Sequence, residues 1–140
     1  MMKIIFLDFD GVMDTAYYDH VLAKEGKPGN DEYGIIFDPN SVKNLKYIIE
    51  QTGADIVVTS SWKYFMSYQD FLNMWKAREL PGFITDVTPN IHGCRYRGEE
   101  IDAWLMEPGG LVPVLTKSET LSHQLTWSHY FVNQGDWYLS

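Results

Sequence analysis

Apolar and polar positions fall into blocks along the chain, and each block has the length and period of a recognisable element. "KIIFL" (residues 3–7) is a continuous apolar run containing two β-branched isoleucines, the pattern of a short strand covered on both faces. Residues 15–37 turn to tyrosine, glycine and charge, with "EGKPGNDEYG" as a loop signal, so an exposed flap is expected between the first strand and the first helix. "FDPNSVKNLKYIIEQTG" (37–53) places Val42, Leu45 and Ile49 on one face at helical spacing; Asp38 or Ser41 caps it, Pro39 suits its first turn and Gly53 ends it. "ADIVVTSSW" (54–62) is a second strand, ending in hydroxyls. "SYQDFLNMWKAREL" (67–80) is a second helix, with Ser67 and Asp70 spaced as a capping box and Tyr68, Phe71, Leu72 and Trp75 on one stripe. A loop containing "ITDVTPN" (84–90) leads to a short helix, "GEEIDAWLM" (98–106), with Ile101, Trp104 and Leu105 together, and then to a third strand around "LVPVL" (111–115).

Strands alternating with helices in this way predict an α/β fold: one domain over residues 1–140, three-layered and Rossmann-like, with a central parallel sheet. Ligands of such sheets sit at the carboxyl ends of the strands. Asp8–Asp10 and Thr59–Ser61 both fall at such ends, so the two polar clusters should converge on one crevice. The tail "HQLTWSHYFVNQGDWYLS" (123–140) alternates Leu125, Trp127, His129 and Phe131 ahead of a turn at "NQGD", and reads as a hairpin or edge strand on the sheet.

Composition narrows the functional classes. Eleven basic and 19 acidic residues leave a net charge of −8, which opposes any bulk grip on nucleic acid or anionic lipid without excluding a local basic pocket for one phosphate. The 45% hydrophobic and 15% aromatic content is that of a chain with a packed core. A single cysteine, Cys94, cannot form an intrachain disulfide and suits a reducing compartment. No run reaches the length of a membrane span, so a cytoplasmic protein is expected.

Three clusters carry candidate chemistry. Asp8 and Asp10 lie two apart at the end of a strand, so their carboxylates face the same way and repel. Either both are solvated and Gly11 simply makes a turn, or one of them is kept protonated, or a divalent cation such as Mg²⁺, which takes one or two carboxylates and fills its remaining positions with water and phosphate, sits between them. Thr59, Ser60 and Ser61 offer hydroxyls and amides to phosphate oxygens, or else form an ordinary Ser/Thr turn. Arg97 stands at a helix start, where a cation is slightly unfavourable, with Arg95 two residues before it. It binds an anion there together with the helix terminus, or it is a surface residue paired with Glu99 or Glu100. His92 with Cys94, and His123 with His129, make no tetrahedral metal set and read as solvated or core histidines.

Taken in this order, the clusters resemble the motifs of the haloacid dehalogenase-like (HAD) superfamily: "FLDFDG" its first, "IVVTS" its second and "RGEEIDAWL" its third. The details "TSSW", "VTPN" and "RGEEIDAWL" are most similar to the HAD domain of Swiss Army Knife RNA repair proteins, over about residues 3–115. The resemblance implies an essentially capless, Mg²⁺-dependent phosphohydrolase working through an aspartyl-phosphate. Asp8 would be the nucleophile and Asp10 the general acid and then base. Thr59, or Ser60, would hold the phosphoryl group and Arg97 would neutralise it, with Gly11, Ser60, Ser61 and Arg95 lining the substrate. The implied substrate is a phosphorylated small molecule or a nucleic-acid end.

The superfamily's fourth motif, acidic residues following another apolar strand, has no counterpart after "VPVL", where Thr116, Lys117 and Ser118 follow. Glu119 is the nearest carboxylate. It either completes a metal set with Asp8 and Asp10 or closes a capping box in "TKSE", which leaves residues 116–140 an atypical C-terminal segment. Asp14 and Asp86 read as turn or surface carboxylates. The alternative to an enzyme is a HAD-fold protein with weak or no catalysis that serves as a binding or interaction module.

Overall fold

Ile4, Ile5, Phe6 and Leu7 are all essentially inaccessible to solvent, and alternate side chains of this strand enter different cores. Ile5 and Leu7 join the larger cluster, with Leu45, Phe71, Met74 and Trp75. Ile4 and Phe6 join a smaller one with Ile101 and Leu105. Burial of each such side chain contributes about 1.5–3 kcal/mol, which is why a four-residue run with no polar face forms the centre of a sheet rather than an edge.

The computed structural model describes residues 3–91, 97–106, 113–117, 127–133 and 136–139. Its elements are β1 (Ile4–Leu7), α1 (Ala16–Lys24), β2 (Asn30–Asp31), β3 (Gly34–Ile35), α2 (Pro39–Thr52), β4 (Asp55–Val58), a 3₁₀ turn (Ser61–Tyr64), α3 (Tyr68–Ala77), β5 (Ile84–Val87), α4 (Arg97–Leu105), β6 (Pro113–Lys117), β7 (Trp127–Asn133) and β8 (Asp136–Leu139). The main sheet has the order β5-β4-β1-β6-β7-β8. β1 pairs in parallel with β4 and with β6, and β4 pairs in parallel with β5. β7 and β8 extend the edge as the expected antiparallel ribbon, with Pro113 opposite Phe131 and Tyr130 opposite Leu139. Residues of α2 and α3 pack on one face of β1 and residues of α4 on the other, the arrangement of an α/β fold. The chain steps from β1 to one side and returns to the other, so the carboxyl end of β1 is the switch point where a crevice opens.

Caps fix the helices as their sequences predict. Asp38 caps α2, accepting from the amide of Asn40 at 2.9 Å, and Gly53 ends that helix in the left-handed region at φ +67°. Ser67 and Asp70 form a full capping box on α3. Two expectations need correction. The segment expected to be an exposed flap loop holds a nine-residue helix, α1, capped by Thr15, and the small β2–β3 hairpin. Only Leu22 of α1 is buried, so no apolar stripe marked it as a helix. The "ITDVTPN" loop contains β5, an edge strand whose Thr85 and Asp86 are exposed. Among the described residues, no helix is long and apolar enough to cross a membrane.

Candidate active site

Past Leu7 the backbone leaves the sheet through a turn gathered on one carbonyl. The amides of Val12, Met13 and Asp14 all donate to the carbonyl of Phe9, at 2.9, 2.8 and 3.1 Å. Gly11 makes the turn possible with φ +73°, where a side chain would strain the backbone. The Phe9 ring points inward onto Phe37, Trp62, Phe71 and Trp75, with centroids 5.1–5.8 Å away. That anchor leaves its neighbours on the outer side: Asp8 is half-exposed and Asp10 exposed. Asp8 Oδ1 accepts from the amide of Phe9 at 2.8 Å.

The end of β4 supplies the facing wall. The Thr59 amide donates to the Leu7 carbonyl at 2.9 Å and carries the β1–β4 pairing one step past the strands. Thr59 is buried, with its hydroxyl 3.3 Å from that of Thr88. Ser60 is fully buried, and its Oγ accepts from the Trp62 amide at the start of the 3₁₀ turn. Ser61 is half-buried and donates to Asp10 Oδ2 at 3.1 Å, while Trp62 Nε1 donates to Asp10 Oδ1 at 2.8 Å. Both oxygens of Asp10 are therefore held by side chains from the other strand end.

Arg97 enters from the first turn of α4. Its Nη1 donates to the Thr59 carbonyl, and its Nη2 lies 3.8 Å from Asp8 Oδ1. Of its two expected surface partners, Glu100 is engaged elsewhere. Glu100 is buried and forms a 2.5 Å ion pair with the buried Lys63, whose ammonium also donates to Thr88 Oγ1 at 2.9 Å and to the Pro89 carbonyl at 3.2 Å. Residues three apart share a helix face, so this pair fastens the face of α4 that carries Arg97 to the segment leaving β4.

The crevice has a surplus of negative charge. Asp14 is buried, not a surface residue. Its Oδ1 accepts from the Gly11 amide at 3.2 Å, and its Oδ2 is buried with no hydrogen-bond partner among the described residues. Burial, followed by the Asp10 carboxylate beside it and then Asp8, pushes the Asp14 carboxyl up to about 7, against the pull of the Gly11 amide. Among the described residues, no three His, Cys, Asp or Glu side chains are grouped to hold a metal ion. A hard cation needs fewer: magnesium usually takes one or two carboxylates and completes its shell with carbonyls, water and phosphate. Among the described residues, the Asp8 carboxylate at the mouth and the partnerless Asp14 Oδ2 are oxygen donors of the kind such an ion takes. Arg95 and Glu119 lie outside the described residues, as does the side chain of Lys117.

The family model of the HAD domain in Swiss Army Knife RNA repair proteins matches residues 4–116. The chain belongs to this HAD family. No curated protein and no solved structure matches it.

The matched span of this HAD domain runs from β1 into β6, and so takes in both strand ends and α4. Sequence reasoning singled out Asp8, Asp10, Ser61 and Arg97, which the fold brings to one crevice, with Gly11 at its turn. It missed three participants. Trp62 looked like the last residue of a strand, and only its indole N–H facing Asp10 reveals a polar role. Lys63 and Glu100 are separated by 37 residues, and no local pattern joins them. Asp86, by contrast, is exposed on β5, where it accepts from Trp104 Nε1 at 2.8 Å.

Proposed function

We propose that this HAD domain is a Mg²⁺-dependent phosphohydrolase that works through a covalent aspartyl-phosphate. The observation that carries this reading is the convergence, at two strand ends, of a half-exposed Asp8, an Asp10 held by Trp62 and Ser61, and Arg97 within 3.8 Å of Asp8. Asp8 and the Asp10 backbone carbonyl would hold the ion, with Asp14 adding negative charge beside it. When bound, Mg²⁺ offsets the negative charge of phosphate and nucleophile so that the two can approach.

In the first step an Asp8 oxygen attacks phosphorus, the bond from phosphorus to the leaving oxygen breaks, and protonated Asp10 gives its proton to that oxygen. In the second, water attacks the aspartyl-phosphate and passes a proton to Asp10, which releases inorganic phosphate and restores Asp8. Arg97 draws charge from the phosphoryl oxygens in both steps. Trp62 and Ser61 fix the Asp10 carboxyl so that its proton is delivered along one line.

The substrate is a phosphorylated small molecule or a nucleic-acid end. The second class draws on the family's description as a domain of RNA repair proteins. The net charge of −8 argues against bulk binding to the polymer, and the short segment between β1 and α2 argues for an essentially capless site open to large substrates. Purified wild-type protein should hydrolyse an aryl phosphate only with Mg²⁺, and Asp8→Asn should lose about 10³-fold or more. Equal rates for the two proteins, after contaminating phosphatases are removed, would refute the reading and leave a binding module.

A further inference from the structure

Glu100, Lys63, Thr88, Thr59 and Arg97 form a closed ring of contacts beside the crevice. The Lys63 ammonium pairs with Glu100 at 2.5 Å and donates to Thr88 Oγ1 at 2.9 Å. The Thr88 hydroxyl donates in turn to that of Thr59, at 3.3 Å. The Thr59 carbonyl accepts from Arg97 Nη1, and Glu100 follows Arg97 by three residues on α4. The ring thus ties the end of β4 to the 3₁₀ turn, to the residue after β5 and to the first turn of α4. Lys63, Thr88, Thr59 and Glu100 are all buried. Arg97 is the half-buried member, and its Nη2 stands 3.8 Å from Oδ1 of the half-exposed Asp8.

Stability does not account for the two charges. Taking a carboxylate and an ammonium out of water can cost more than their attraction returns, and a well-packed apolar pair of similar volume often holds two segments as firmly. Apolar burial has no direction, whereas charge-assisted hydrogen bonds are short and directional. What such bonds add is a fixed placement of one segment against another, and Arg97 needs one. Groups acting at a reacting centre must be held within about 0.5 Å, and a displacement of about 1 Å can cost about 10²-fold in rate. Lys63 governs that placement twice. Through Glu100 it sets the helix that carries Arg97, and through Thr88 it sets the residue whose carbonyl holds the guanidinium.

We infer that Lys63 and Glu100 are positioning residues, which hold Arg97 at its working distance from Asp8 and act on the phosphoryl group only through it. The inference rests on the phosphohydrolase reading of this site. Its test uses Lys63→Met/Glu100→Leu, which keeps apolar volume between the segments and removes the directional bonds. After cooperative unfolding in urea has shown that this variant is folded, Mg²⁺-dependent hydrolysis of an aryl phosphate is measured with Arg97 present and in an Arg97→Ala background. Crystals of the folded variant report the place of Arg97 independently of activity. Thr88→Val is the second variant, since it opens the ring without removing either charge.

The expected result is a fall in kcat/KM of about 30-fold or more with Arg97 present and of less than about threefold in Arg97→Ala, where nothing remains to be positioned. In the crystals Arg97 should stand more than about 1 Å from its wild-type place beside Asp8. Thr88→Val should lower kcat/KM about tenfold, and Thr88→Ser, which keeps the hydroxyl, should restore it. Equal losses in the two backgrounds would make the pair purely structural and overturn the inference. So would wild-type turnover in the folded double variant or in Thr88→Val. Hydrolysis by no protein, wild type included, would refute the phosphohydrolase reading instead. The crystals then decide the inference: a displaced Arg97 upholds it and an unmoved one overturns it.

Discussion

Asp8, Asp10 and Asp14 reach the crevice from seven consecutive residues, through a turn whose amides converge on one carbonyl. Arg97 reaches the same crevice from the other face of the sheet, on a helix fastened by the buried Lys63–Glu100 pair. The acidic wall is local and partly solvated. The basic wall is held at long range by two charges removed from water. A turn of this kind tolerates change in the rest of the fold, whereas a buried pair fails as a unit: removing one partner strands the other charge in a medium that cannot solvate it.

The largest expected effect therefore falls on the basic wall. Glu100→Gln should destabilise the protein by about 3–5 kcal/mol in urea unfolding, and Lys63→Met/Glu100→Leu should recover most of that loss. A loss below about 1 kcal/mol for the single variant would mean that the pair is better solvated than its burial implies. On the acidic wall, Trp62→Phe removes a hydrogen bond to a carboxylate, worth about 1.5–3 kcal/mol. It should lower the rate of phosphate ester hydrolysis roughly 10- to 100-fold. Unchanged turnover would remove Trp62 from the account.

A smaller effect is expected where the hairpin meets that tryptophan. Gly34 has φ +131°, and a Cβ there would lie 3.2 Å from the Trp62 ring, so Gly34→Ala should cost about 1–3 kcal/mol in unfolding free energy.

A further effect is a slope with pH. The Asp14 carboxyl is raised from 3.8 to about 7, so between those values the folded protein keeps a proton that the unfolded chain has released. Stability from this group is thus full below about pH 4 and falls as pH rises through 7. In buffer without divalent cations, Asp14→Asn should flatten that decline. A variant with the wild-type slope would show that Asp14 titrates normally.

The same contrast explains what the sequence made legible. The acidic turn, the caps of α2 and α3 and the buried strands are written in neighbouring residues, where spacing and residue type act directly. β5 escaped because its edge position leaves Thr85 and Asp86 exposed, so four residues carry no apolar signature. α1 escaped because a single buried leucine sets no period. The burial of Asp14 and the partnership of Lys63 with Glu100 depend on which segments the sheet brings together, and no local pattern encodes that. Charged residues are rarely buried, so residue type gives no sign that Asp14, Lys63 and Glu100 lie inside.

The central claim is that Asp8 carries the phosphoryl group during turnover. Acid quenching of the wild-type protein during hydrolysis of an aryl phosphate with Mg²⁺, followed by peptide mass analysis, tests it directly. The account predicts one added phosphoryl mass on the peptide containing Asp8, absent without Mg²⁺ and absent in Asp8→Asn. Turnover with no phosphorylated peptide, or with the phosphoryl group on any other residue, would contradict it.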